Sequence, residues 1–393
     1  MKLWEKGYNP DKQIENFTVG KDPILDMELL PYDIKGSIAH AAVLCEAGVL
    51  MANEKERIIA ALEDLHSIWS AGGFLIKTED EDGHTAIENY LTEKLGDLGK
   101  KIHTARSRND QVITAIRLHE KDQLNLVAQK SKALINKFES FSKVHSSTPM
   151  PGYTHTRKAM PYTVGEWAQA HADSLIDDLK LLAVVQIIID QNPLGTGAGY
   201  GVPFPLNREK STEILGFSKV MRSSVYAQNS RGKFEGEVLQ VCSTTLMSLN
   251  RWASDLILFT MPDFGFFTLD NSLTTGSSIM PHKKNPDVLE LIRASVHRVI
   301  ACQSQVQNIS LNLISGYHRD IQLTKEPVMT GLQTTLDCLD VASRVLDGLS
   351  VNHENLQNAM SDDLYSVQKV YDLVKKGIPF REAYKIIANN LFD

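Results

Sequence analysis

Four stretches of this chain contain neither glycine nor proline: residues 100–148, 166–192, 237–261 and 287–315. Glycine breaks helices through its backbone freedom and proline through its missing N–H. Their joint absence over such lengths favours long helices. The apolar spacing agrees. In the last stretch Val288, Leu289, Leu291, Ile292, Val296, Val299, Ile300 and Val306 recur mostly at three- and four-residue steps. A helix of about 25 to 30 residues is about 40 Å long. Several such helices read as an elongated bundle, not as alternating strands and helices. Apolar residues on more than one face imply burial on several sides. The expectation is an all-α chain whose central bundle also self-associates.

Smaller helical regions flank that bundle. The run Asp33 to His40 opens a helix expected to reach about Ala47. A second is expected from about Asn53 to Trp69, ended by Ala71-Gly72-Gly73. The expected division is an N-terminal helical domain over 1–107, a central long-helix domain over 108–352 and a short C-terminal domain over 353–393. The acidic run Glu79-Asp80-Glu81-Asp82 is expected to be a solvated loop ahead of a helix N-terminus.

Composition narrows the function classes. The chain is 42% apolar and 23% charged, as in an ordinary globular protein. A net charge of −7 argues against non-specific nucleic-acid binding, while leaving local lysines and arginines free to hold an anionic substrate. Cys45, Cys242, Cys302 and Cys338 are far apart with no Cys-x-x-Cys pair, which implies buried free thiols in a reducing cytoplasm. The N-terminus MKLWEKGYNPDK has no apolar core of a signal peptide. The stretch that comes closest to a membrane span, Leu181 to Ile189, is too short to cross a bilayer.

Four polar segments can carry chemistry. Gly276-Ser277-Ser278-Ile279-Met280-Pro281-His282-Lys283-Lys284-Asn285-Pro286 joins a small mobile turn to two lysines and a helix-starting proline. His103-Thr104-Ala105-Arg106-Ser107-Arg108-Asn109-Asp110-Gln111 sets two arginines just before a long helix, where guanidinium forks and helix N–H groups both suit carboxylates. A capped helix with surface arginines fits the same residues. Pro151-Gly152-Tyr153-Thr154-His155-Thr156-Arg157-Lys158-Ala159-Met160-Pro161 holds a histidine in a Gly/Pro-bounded loop, as an acid/base group or a structural residue. Ser315 to Glu326 places Gln322 and Lys325 three apart, on one face if helical. Asp82-Gly83-His84-Thr85-Ala86 and Lys35-Gly36-Ser37 are weaker and also fit helix caps. Gly195-Thr196-Gly197-Ala198-Gly199-Tyr200-Gly201 looks like a nucleotide loop. It lacks a strand-loop-helix context and lies between Pro193 and Pro203, so a flexible connection is expected.

In order, these segments resemble the argininosuccinate lyase branch of the fumarase/aspartase superfamily. The run G-S-S-x-M-P-x-K-x-N-P resembles the superfamily signature. Residues 103–111 resemble the branch's H-T-G-R-S-R-N-D-Q, with Ala105 in place of glycine. Residues 151–161 resemble P-G-Y-T-H-L-Q-x-A-x-P, with Thr156-Arg157 in place of Leu-Gln. Tyr317, Asp320, Gln322 and Lys325 match Y-x-x-D-x-Q-x-x-K.

The resemblance implies cleavage of argininosuccinate into arginine and fumarate, the last step of arginine biosynthesis, in a cytoplasmic homotetramer with active sites shared between subunits. It implies Ser277 and His155 as the acid/base pair, Lys283 as stabiliser of the serine oxyanion and Glu290 as the carboxylate partner of His155. The residues alone leave open which of the pair takes which proton. Ser107, Arg108, Asn109, Thr154, Lys283 and Asn285 are implied to hold the succinyl carboxylates. Ser37, His84, Tyr317, Gln322 and Lys325 are implied to hold the rest of the substrate. No metal, cofactor, nucleic acid or membrane is implied. Adenylosuccinate lyase is the nearest alternative, because M-P-H-K with His282 is common there, and other fumarate-forming lyases follow. Inert lens crystallins related to this branch are an alternative of another class. The G-x-P-F-R-E-A segment, Gly377 to Ala383, is normally followed by a longer C-terminal domain, so a short one is expected, with an apolar face left bare near Tyr384 to Leu391.

Overall fold

The computed structural model describes residues 11–392, so the segment read as lacking a signal peptide lies mostly outside the described residues. The fold is all-α. In chain order the helices are α1 (Lys12–Val19), α2 (Asp22–Glu46), α3 (Ala52–Ser70), α4 (Gly83–Leu95), α5 (Asp97–Lys100), α6 (Arg108–Val144), α7 (Val164–Ile189), α8 (Arg208–Leu215) and α9 (Ser224–Asn229). They continue as α10 (Lys233–Phe259), α11 (Asp287–Ser310), α12 (Lys325–Asp347), α13 (His353–Ala359), α14 (Ser366–Lys375) and α15 (Phe380–Phe392). The four glycine- and proline-free stretches became α6, α7, α10 and α11, all of 24 residues or more.

The chain forms two compact units. Unit 1 is Met1–Leu126, Leu182–Val241 and Val299–Gln333; unit 2 is Val127–Leu181, Cys242–Arg298 and Thr334–Asp393. In unit 1, Leu30, Ile34 and Leu44 of α2 pack with Ile58 and Leu62 of α3 and Leu91 of α4, all essentially inaccessible to water. The helix expected from Asp33 begins at Asp22 and carries Pro31 inside it. A proline there removes the N–H that would bond the carbonyl four residues back. That carbonyl, Met27 O, instead accepts the Trp69 indole N–H at 2.9 Å from α3. A side chain from the next helix thus pairs the carbonyl that the proline leaves free.

Unit 2 has an aromatic core. Phe138 and Trp252 meet edge to face at 5.4 Å, and Trp167 stacks at 5.0 Å on Phe267. The Gly/Pro-bounded loop expected over 151–161 is an antiparallel hairpin, β1 (Pro149–Thr154) with β2 (Arg157–Thr163). Its bulge at Pro151/Tyr153 absorbs the irregular Pro-Gly spacing that reads as a loop. The acidic run also departs from expectation. Glu81 and Asp82 are buried, because Arg108 pairs with both. In the C-terminal pair of helices Tyr384 and Ile386 are exposed as expected, while the side chain of Leu391 lies outside the described residues.

Candidate active site

Six of the predicted residues, His84, Arg108, Asn109, Tyr317, Gln322 and Lys325, line one cavity of about 200 Å³ in unit 1. Asp82 caps α4 by accepting the Thr85 N–H at 2.9 Å and turns to receive Nε of Arg108 at 2.6 Å. Burial disfavours the Asp82 carboxylate, but His84, Arg108 and the Thr85 N–H outweigh it and hold its pKa below the usual value. Burial likewise works against the Arg108 cation, and Asp82 and Glu81 more than compensate. Arg108 is the first residue of α6, so its backbone lies where helix N–H groups face outward.

Lys325 is almost wholly buried, its Nζ 2.5 Å from Asp26 and 3.1 Å from Asp22. Burial acts to discharge it; the two carboxylates prevail and raise its pKa. His84 follows the same logic. Burial lowers it, while Asp33, which bonds its Nδ1, and Asp82 and Asp26 raise it. Gln322 donates to Thr18 O at 3.0 Å, and Arg319 donates to the same carbonyl at 2.8 Å, so both hold the end of α1. Ser37 and Ser107 are not among the residues that line this cavity. Ser37 Oγ accepts from Arg106 Nη1 at 2.8 Å, and Ser107 Oγ accepts the Asn109 N–H at 3.3 Å.

Arg231 also lines this cavity and was not predicted. It is 4% exposed, its guanidinium lies 5.4 Å over the Tyr317 ring, and its Nε and Nη1 have no hydrogen-bond acceptor. Burial lowers its pKa, partly offset by Tyr317, Glu235 and Asp22. Nothing around Arg231 in the sequence marks it, since it falls between two helices beside Gly232. Asp22 and Asp26 were legible in principle as an i, i+4 pair on one helix face. The glycine-rich stretch 195–201 is held in place within unit 1, because Asp110 Oδ2 accepts the N–H groups of Gly195 (3.0 Å) and Gly197 (2.9 Å).

Thr154, His155, Ser277, Lys283, Asn285 and Glu290 lie in unit 2. His155 and Thr156 are the two central residues of the β1–β2 turn, with φ of 51° and 58°. Both angles positive is the geometry of a type I′ turn, usually built from Asn-Gly. The turn exposes Thr154 and His155 at its tip. Ser277 sits in a loop closed at its base by paired backbone bonds between Thr275 and Asn285, 3.1 and 2.8 Å. Ser277 Oγ accepts the N–H groups of Met280 at 3.1 Å and Ile279 at 3.3 Å. Two donors aimed at one hydroxyl oxygen favour its anionic form. Asn285 Nδ2 reaches Gly276 O at 3.4 Å, while Lys283 and Glu290 are exposed. Among the described residues no hydrogen bond or ion pair joins Glu290 to His155.

A family model described as lyase matches residues 9–301. The argininosuccinate lyase of Thermotoga neapolitana is 50% identical over 391 residues, covering 98% of this chain and 97% of the relative. That of Phocaeicola vulgatus is 41% identical over 384 residues, covering 98% and 86%. Among solved structures, an EDDS lyase in complex with formate aligns with a TM-score of 0.83 at 24% identity, over 98% of this chain and 76% of that one. A fumarate lyase/delta crystallin from Brucella melitensis bound to cobalt aligns at 0.80 and 20% identity, over 96% and 87%. Those structures share the fold, and the sequence relatives go further: the chain belongs to the argininosuccinate lyase family.

Proposed function

We propose that this protein cleaves argininosuccinate into L-arginine and fumarate by general acid/base elimination. The observation that carries this reading is the near-full-length similarity to argininosuccinate lyases. The unit 1 cavity supports it over adenylosuccinate. The cavity sets Asp22 and Asp26 beside Lys325, and places Arg231 and Arg319 near them. Carboxylates and cations side by side suit the zwitterionic amino-acid end of argininosuccinate, whereas a nucleotide phosphate offers only negative charge.

Ser277 takes a proton from the carbon next to the succinyl carboxylate. The C–N bond then breaks, its electrons pass to the guanidino nitrogen, and the carbon–carbon double bond of fumarate forms. His155 gives that nitrogen a proton, with Glu290 orienting the imidazole. Serine needs help to act as a base, and the Ile279 and Met280 N–H groups on its Oγ are suited to give it, with Lys283 adding charge. Ser107, Arg108, Asn109, Thr154 and Asn285 hold the succinyl carboxylates. Ser37, His84, Tyr317, Gln322 and Lys325 hold the arginine end or support the groups that do.

The protein is proposed to work in the cytoplasm as a homotetramer whose active sites combine residues of neighbouring copies, with flanking domains 1–107 and 353–393 around a central 108–352. Apolar side chains exposed on helices, such as Ile187, Met247 and Leu291, fit such self-association. The test is fumarate release, read by ultraviolet absorbance, with argininosuccinate and adenylosuccinate offered in parallel. Release from argininosuccinate alone is expected. Release from adenylosuccinate alone, or from neither, overturns the assignment.

A further inference from the structure

Thr104 and Ala105 are the central residues of a tight turn in unit 1, closed by the bond from Arg106 N to His103 O at 3.1 Å. Thr104 has φ −53° and ψ 126°, and Ala105 has φ 58°. These angles define a type II turn. Types I and II differ in the orientation of the central peptide, and type II asks for glycine at its third position because φ there is positive. Alanine at that place favours the flipped, type I form.

One contact opposes the flip. His40, on α2 and 1% exposed, lies with Nε2 2.9 Å from Thr104 O, the carbonyl of the peptide that turns over. Burial and the neighbouring Arg106 cation push the His40 pKa down to about 3, with His103 adding to them and the Thr104 carbonyl opposing. The ring is therefore neutral near pH 7, and because a carbonyl only accepts, Nε2 carries the hydrogen. Ser107 follows this turn directly, and Arg108 and Asn109 open α6.

We propose that His40 is a positioning residue: by donating to Thr104 O it holds the type II turn that Ala105 disfavours, and so sets Arg108 and Asn109 against the cavity. The inference rests on reading that cavity as the substrate site. It is tested on the full-length protein with His40→Phe, His40→Gln and the double variant His40→Phe/Ala105→Gly.

His40→Phe is expected to raise KM about tenfold, the worth of one lost buried hydrogen bond, with kcat nearly unchanged. Glutamine, whose amide N–H can stand in for the imidazole Nε2–H, returns most of the loss. Ala105→Gly in the Phe background returns it too, since glycine takes the type II turn without a clamp. A packing role for His40 gives no rescue from residue 105. Unchanged KM in His40→Phe, or no recovery in the double variant, overturns the proposal.

If His40→Phe does not fold, Ala105→Val asks the same question, because a β-branched residue at positive φ drives the turn toward type I. The same KM-selective loss is expected, and an unchanged KM overturns the proposal. A crystal structure of His40→Phe, or of Ala105→Val in its place, reads the peptide without reference to activity. A flipped Thr104 carbonyl is expected, and a retained one contradicts the proposal. A flipped peptide in a protein whose wild type releases no fumarate counts against the functional reading alone.

Discussion

Arg231 is buried at the cavity wall with two nitrogens free of acceptors, and a buried donor left unpaired is costly. A substrate carboxylate bound in the cavity would relieve it. Arg231→Gln is expected to raise KM by roughly ten- to a hundredfold, the range for a charge-assisted hydrogen bond, and to leave kcat nearly intact. Steady-state kinetics on argininosuccinate checks this, with circular dichroism as the control for folding. This arginine was not legible in the sequence, because burial and lack of a partner are properties of packing. His155, Ser277 and Lys325 were legible because each sits in a dense run of polar and turn-forming residues. The engagement of Lys325 by Asp22 and Asp26 was hidden, since about 300 residues of chain separate the partners.

Among the elements, the β1–β2 hairpin carries the clearest strain. Thr156 is β-branched and has φ 58°, a conformation that costs about 1–2 kcal/mol for a non-glycine residue. Thr156→Gly is expected to stabilise unit 2 by about 0.5–1 kcal/mol once the larger unfolded-state freedom of glycine is subtracted. A rise in the denaturant midpoint would register it. The turn also sets His155, so strain at this tip is of the kind found at functional sites. The helices show how far periodicity reaches. Four were visible as stretches free of glycine and proline, whereas α12 was not, because it contains Pro327 and Gly331. Pro327 lies in the first turn, where no N–H partner is needed. Gly331 faces the Leu239 side chain of α10, where a Cβ would lie 2.2 Å from its tip and force that side chain to move. Both residues read as breakers: position in the first turn accommodates Pro327, and Gly331 lies against the neighbouring helix.

Glu120 is fully buried, and burial, with the Glu235 charge adding to it and Arg117 opposing, pushes its pKa up to about 8. The unfolded chain releases that proton near 4.5, so folding binds a proton between these values. The stabilisation from this group is complete below about pH 4.5 and is lost as the pH rises through about 8. Unfolding midpoints should fall across that window, and Glu120→Gln should flatten the fall; an equal slope in the variant would remove Glu120 as its cause. In sedimentation an active preparation should have about four times the mass of one 43.8 kDa chain, and activity at the mass of a single chain would rule out shared sites. Ser277, its oxygen held by two backbone N–H groups, is proposed to remove the proton that starts the elimination. The most direct test is Ser277→Ala, with kcat for argininosuccinate cleavage and Kd for argininosuccinate by calorimetry measured side by side. A fall in kcat of about a thousandfold or more, with Kd within about threefold of wild type, is the predicted result. Near-normal turnover would contradict it.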